Sequence, residues 1–227
     1  KEITSTEGVC RRAADDAPDW PECPLARSGN YERARAEGFD DLLPSRPADE
    51  RAEAKRDSCA EMYAADALRI RPHHLMCMTC FHGGKEELAP IEEDNLFEAI
   101  DAMQKNPDVP VTLVAGPCMI CPPCSRYRPQ RDQCVSGNGM ALRDEKKDLD
   151  LLRLLGLHYG DTLPARELLR RLYERVHSTR RICGHGDGIV RGPEWSICGG
   201  PDGNAGYVKG RAAGLGVPGV TPEETGE

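Results

Sequence analysis

Pro110-Val-Thr-Leu-Val-Ala-Gly-Pro-Cys118-Met-Ile-Cys121-Pro-Pro-Cys124 passes from a short β-branched run into a proline-stiffened loop that carries three cysteines. The run 110–115 is bounded by Pro and Gly and reads as a strand delivering the chain into that loop. Cys134 follows further along the same loop. Two-residue spacers let successive thiolates converge on one metal centre, with backbone amides directed at the sulfurs, as a 4Fe-4S cluster requires. Pro122 and Pro123 remove two backbone donors and leave the turn less entropy to lose. A zinc knot held by Cys118, Cys121, Cys124 and Cys134 is the alternative that the same spacing allows. The fold class that follows is α+β, mostly helical with short strands, with long irregular cysteine-bearing loops organised around metal clusters.

Upstream of the strand, Leu96, Phe97, Ile100 and Met103 fall on one helical face over 92–104, and Asn106-Pro107 ends the run. Before it stands Arg71-Pro-His-His-Leu-Met-Cys77-Met-Thr-Cys80-Phe-His82, thiols and imidazoles together. Both side-chain types ligate iron or zinc. Pro72 can open a short helix in which His73 and Cys77, four apart, share a face. His73 or His74 could equally bond a neighbouring carbonyl and orient the loop; these two are the candidates for a catalytic proton carrier. His82, before Gly83-Gly84, reads as a turn residue. An Ala-rich stretch opened by Pro47 reads as a helix running to about Leu68, with Met62 and Tyr63 facing inward and Cys59 acting as a small apolar residue. Residues 1–46, with Cys10 and Cys23, read as an arm laid over a domain.

Downstream, Leu142, Leu149, Leu152 and Leu155 recur at helical spacing and Gly156 is placed to cap the helix. A further helix is predicted over 164–178, with Leu168, Leu169, Leu172, Tyr173 and Val176 as its apolar stripe and Arg170, Arg171 and Arg175 mostly off it. After Arg181 the chain turns Gly-rich. Cys183-Gly-His185 and Cys198-Gly-Gly form a second thiol concentration, where glycine permits close backbone approach to a bulky cluster. The second set could be Cys77, Cys80, Cys183 and Cys198, beside a first set of Cys118, Cys121, Cys124 and Cys134. Cys183 and Cys198 could instead lie in an irregular loop as ordinary thiols.

Composition bounds these readings. The 227-residue chain has eleven cysteines, 5% aromatic residues and a formal net charge of -8. Moderate apolar content with many cysteines implies that something besides hydrophobic burial holds part of the fold. The odd count and close pairing favour metal over a secreted disulfide framework. The acidity argues against a nucleic-acid binder, and no apolar window reaches the length of a membrane span. The start at Lys1 shows no secretion-signal core, so a cytoplasmic location is expected, with an export signal removed before Lys1 left open. No Gly-x-Gly-x-x-Gly match sits at a strand-to-helix junction, so no nucleotide cofactor is implied.

The block Leu68-Arg-Ile-Arg-Pro-His-His-Leu-Met-Cys77, the helix ending at Asn106-Pro107, Cys121-x-x-Cys124 with Cys134, and Leu154-Leu-Gly-Leu157 resemble the domain of unknown function 1284 family over about residues 68–160. The resemblance implies an iron–sulfur protein with Cys77, Cys121, Cys124 and Cys134 as ligands. Cys80, Cys118, Cys183 and Cys198 are additions to that pattern. The chain divides accordingly into an arm and Ala-rich helix (1–67), a cysteine-rich core (68–160), a helix with a Gly-rich Cys loop (161–215) and a disordered tail (216–227). Three functional readings stay open. One is a carrier of one or two 4Fe-4S clusters, transferring electrons to a protein redox partner or within a larger complex. Another is an enzyme of lyase or hydrolase type with an open iron as Lewis acid. The last is a structural zinc protein.

Overall fold

The computed structural model describes residues 46–135, 142–183 and 204–220. Helix α1 (Ala48–Ala64) leads into strand β1 (Leu68–Ile70) and helix α2 (Pro72–Gly84), followed by α3 (Leu96–Lys105) and β2 (Pro110–Leu113). A small hairpin, β3 (Tyr127–Arg128) with β4 (Gln133–Cys134), precedes α4 (Leu142–Leu155), β5 (Thr162–Pro164), α5 (Ala165–Arg175), α6 (Arg180–Cys183) and α7 (Ala205–Ala212). The protein is α-rich with a few short strands, as the sequence indicates.

β1 and β2 are parallel, with Leu68 opposite Val111 and Ile70 opposite Leu113, and β5 runs antiparallel on the far side of β2. The sheet is therefore ordered β1-β2-β5. Leu68, Ile70, Val111 and Leu113 are buried, the alternating positions that one face of a pleated sheet directs into a core. A parallel pair needs a long crossover, and α2 and α3 supply it.

Helix α2 is the centre of the molecule. His73, Leu75, Met76, Met78, Thr79, Cys80 and Phe81 are all buried, a pattern too wide for a surface helix and expected of one packed on all sides. His82, read as a turn residue, lies in its last turn; Gly83 and Gly84 extend the helix because α7 packs directly against them. A Cβ on Gly210 would lie 2.1 Å from the Thr79 carbonyl oxygen, and one on Gly83 2.0 Å from that of Gly206. The sequence reading placed α7 inside a Gly-rich stretch without seeing a helix. The glycines there serve backbone contact between helices, and Tyr207, buried, donates to the Val176 carbonyl at 2.8 Å.

Other expectations shift at the level of faces. Met62 is buried, but Tyr63 is 48% exposed. In α4, Leu152 and Leu155 are buried with Leu151, while Leu149 is 51% exposed. The α4 face that turns inward is the one bearing Asp148. Gly156 adopts φ +64° after α4, the left-handed cap that glycine accepts without strain. Val217 and Val220, read from the sequence as belonging to a disordered tail, are buried in the core. Cys10, Cys23, His185, Cys198 and 221–227 lie outside the described residues.

Candidate metal centre

The loop after β2 folds back over the end of β1 by backbone pairing. The Val114 N–H donates to the Ile70 carbonyl at 3.1 Å and the Met119 N–H to the Arg69 carbonyl at 3.1 Å. Gly116, at φ +74°, makes the reversal. Two tight turns then follow, with the Cys121 N–H on the Cys118 carbonyl and the Cys124 N–H on the Cys121 carbonyl, each at 2.9 Å. From the other side Asn95, wholly buried, holds the loop: its Nδ2 donates to the Met119 carbonyl at 2.9 Å and to Ser58 Oγ at 2.8 Å, while its own N–H donates to the Ile120 carbonyl at 3.1 Å. Asn95→Ala takes the side-chain donor from the Met119 carbonyl, while the Ser58 hydroxyl keeps its bond to the Ala54 carbonyl at 2.6 Å, and is expected to cost about 1–3 kcal/mol, read as a lower urea midpoint at unchanged slope.

Folded this way, the loop places Cys118 and Cys121 against the first turn of α2. His74 Nδ1 lies 3.1 Å from Cys118 Sγ, and the two sulfurs are 3.9 Å apart. The Cys118 N–H also donates to Cys121 Sγ at 3.3 Å. One ring nitrogen of His74 and the two sulfurs all fall within 4.8 Å of one another. Burial pushes the Cys118 thiol up, but the Cys121 thiol, His74 and the Arg71 N–H outweigh it and hold Cys118 well below the ordinary thiol value. Cys121, bonded to Cys118 and buried beside its charge, is pushed the other way. One thiolate stabilised at the expense of its neighbour is the electrostatic state that a cation relieves.

Immediately behind this trio is a buried charged tether. Arg71 Nε and Nη2 donate to Asp148 Oδ2 at 2.9 and 2.6 Å. The His73 N–H reaches Asp148 Oδ1 at 2.8 Å, and His73 Nδ1 lies 2.7 Å from the same oxygen. Arg71, His73 and Asp148 are 2%, 5% and 0% exposed. Burial disfavours the Asp148 charge, but His73 and Arg71 more than offset it and hold the carboxyl at about 2. Burial dominates at His73, against the pull of Asp148, and lowers it to about 4. The tether thus fixes the chain at the start of α2 on both sides of Pro72, directly ahead of His74. The sequence reading missed Asp148, although a signal was present: it stands three, four and seven positions before Leu151, Leu152 and Leu155, on their face.

The remaining sulfur candidates are distributed around this point. Cys124, half-buried, accepts the Arg126 N–H at 3.4 Å, and Cys134 pairs with Tyr127 across the hairpin. The Tyr127 N–H also donates to the Cys124 carbonyl at 3.1 Å. Cys77 and Cys183 are half-buried and packed against the core. Burial opposes the Lys147 ammonium, but Asp144, Cys183 and Cys77 outweigh it and raise its value. Cys80 is buried in α2, with its carbonyl against Gly206, and Cys59 contacts Asn95 Oδ1 at 3.6 Å. No disulfide joins any of the eight described cysteines. Among the described residues, the group whose donor atoms converge is His74, Cys118 and Cys121. The ligand set implied by the resemblance, Cys77, Cys121, Cys124 and Cys134, contributes Cys121 alone to it.

Residues 93–187 match the family described as "Protein of unknown function (DUF1284)". That segment is similar to DUF1284. The match begins at 93 rather than 68 and continues to 187 rather than 160, so it holds Cys118, Cys121, Cys124, Cys134, Asp148 and Cys183 but not the His73-His74 turn. The convergent site therefore joins two thiols of the DUF1284 segment to an imidazole that precedes it. No curated protein and no solved structure matches the chain. No helix among the described residues is long and apolar enough to cross a membrane.

Proposed function

We propose that this protein is a metal–thiolate protein whose centre is seated by His74, Cys118 and Cys121. The observation that carries the reading is the convergence of one imidazole nitrogen and two sulfurs within 4.8 Å. A tetrahedral ion with metal–sulfur bonds near 2.3 Å requires its sulfurs to be ~3.8 Å apart, and Cys118 and Cys121 stand at 3.9 Å. Thiolates bound to different irons of a cubic cluster stand farther apart than that, because each meets its own iron. A single ion of zinc type is the better fit to this pair, with one coordination position left for a ligand from outside the trio. Two cysteines and one histidine are a donor set known from catalytic zinc sites as well as structural ones.

The 4Fe-4S reading, with electron transfer to a redox partner, rests on a different observation. Cys134 pairs with Tyr127 across the hairpin, and the Tyr127 N–H donates to the Cys124 carbonyl at 3.1 Å, so the two cysteines flank one residue at the end of the same loop. Two further thiols there could join Cys121 if the loop opened around a larger centre.

Metal and sulfide analysis of anaerobically purified full-length protein tests both readings. One colourless ion per chain, lost in His74→Ala, Cys118→Ser and Cys121→Ser but retained in Cys59→Ser, is expected. Brown protein with four or eight irons and matching acid-labile sulfide would replace the single-ion reading with the cluster one. Protein without stoichiometric metal of either kind would remove both.

A further inference from the structure

Cys118 and Cys121 are buried alike, at 9% and 7% exposed, but they stand differently toward a neighbouring cleft, and that bears on what the pair can do beyond holding an ion. A cleft of about 330 Å³ opens beside the site, and Cys118 is on its wall while Cys121 is not. Pro117, Met119 and Pro122 give that wall an apolar floor. Arg69 and Glu61, both exposed and 3.6 Å apart, put a cation and an anion on the same cleft. An apolar floor edged by one basic residue, Arg69, and two acidic ones, Glu61 and Asp132, suits a small amino-acid-derived disulfide, whose carbon–sulfur centre is apolar and whose ends carry carboxylate and ammonium groups. The sulfurs are already in contact at 3.9 Å, and the turn between them is closed by the Cys121 N–H on the Cys118 carbonyl. A disulfide bond of about 2.05 Å requires the sulfurs to approach by ~2 Å between them, within reach of side-chain rotation, and a Cys-x-x-Cys turn is a spacing that redox proteins close in this way.

We propose that Cys118 and Cys121 are also a dithiol–disulfide couple that exchanges with small amino-acid-derived disulfides entering the cleft, and that closing the protein disulfide releases the metal ion. The release half rests on the metal reading above; the exchange half does not. The Cys118 thiolate attacks one sulfur of the small disulfide, forming a mixed disulfide and expelling the first small thiolate. The Cys121 thiolate then attacks Cys118 Sγ, the protein disulfide forms, and the second small thiolate leaves. Two electrons have passed from the protein pair to the small disulfide. Both metal–sulfur bonds are broken, the ion departs with its charge unchanged, and the two small thiolates take protons from water. In the metal-free protein the two thiol protons leave with the two small thiols instead. Cys118 attacks and Cys121 resolves because Cys118 lines the cleft and Cys121 does not.

The experiment titrates full-length protein, zinc-loaded and metal-free, with oxidised glutathione. Released zinc is followed with a chromogenic chelator, and the linked cysteines are located by peptide mass mapping without reduction. The expected result is one zinc released per Cys118–Cys121 bond formed, the same bond in the metal-free protein, and arrest of Cys121→Ser with one glutathione on Cys118. Bonds formed between other cysteines, or glutathione placed first on Cys121, would overturn the proposal, and wild-type protein alone supplies the first of these readouts should a variant fail to fold. Loaded protein that keeps its zinc and forms no bond defeats the exchange while leaving the metal site standing. Protein that binds no zinc yet forms the Cys118–Cys121 bond defeats the metal reading while the exchange stands.

Discussion

Asp148→Ala is expected to destabilise the protein by about 3–5 kcal/mol, because it leaves a guanidinium without its counter-charge in the interior. Arg71 gives Asp148 two hydrogen bonds, and His73 approaches the same carboxylate with its N–H and its ring. Arg71 is 2% exposed, so water cannot take over the lost partner. Urea unfolding reads the loss directly, and a change under about 1 kcal/mol would show that the tether is not what holds α4 to α2. The pH dependence carries a sign of its own. Asp148 titrates at about 2 in the folded protein against an ordinary 3.8, so the folded state binds this proton less readily than the unfolded state. The stability it supplies is present above pH 3.8 and fades as pH falls toward 2, and the gap between wild type and Asp148→Ala should narrow over that window. The paired change Arg71→Met with Asp148→Leu removes both charges and should recover much of the stability. It should not recover His74-dependent metal retention if the tether's contribution is to place that imidazole.

Gly210→Ala is expected to cost about 3 kcal/mol or more, at the upper end for overpacking, since the added carbon meets backbone and not a movable side chain. The Cβ would fall 2.1 Å from the Thr79 carbonyl oxygen and 3.0 Å from its carbon. Helix α7 would have to withdraw from α2, taking Tyr207 with it. Gly84→Ala supplies the control: nothing lies within 4 Å of a Cβ there, and alanine's better helix propensity should leave it neutral or up to about 1 kcal/mol more stable. Equal thermal shifts in the two variants would mean that the α2–α7 contact is looser than these distances require.

Both expectations concern parts of the protein that the sequence displays unevenly. The helices expected over 92–104 and 164–178 form as Leu96–Lys105 and Ala165–Arg175; they were legible because their apolar residues keep one period, and Leu96, Ile100, Leu168 and Leu172 are buried accordingly. Helix α7 was not legible. Close helix packing selects glycine, and glycine in sequence signals turns. Tyr63 and Leu149 face solvent because apolar spacing alone does not say which of two neighbouring stripes meets a partner helix. In α4 the buried stripe includes a carboxylate, which reads as surface until a buried arginine and a histidine are known to face it.

The sequence by itself determined that a proline-stiffened Cys-x-x-Cys loop follows a short strand, and that a run of imidazoles and thiols opens a helix before it. Those are local facts, set by spacing, by proline and by β-branched residues. Which of the cysteines meet was decided by the tertiary structure. Parallel pairing of β1 with β2 brings the start of α2 beside the loop that leaves β2, so His74 reaches Cys118 across a separation of 44 residues. Cys77, one turn farther along α2, is not among the donors that converge with Cys118 and Cys121. The physical reason is that donor convergence depends on strand register and on the rotation of a buried helix. Both are fixed by packing that no window of the sequence contains.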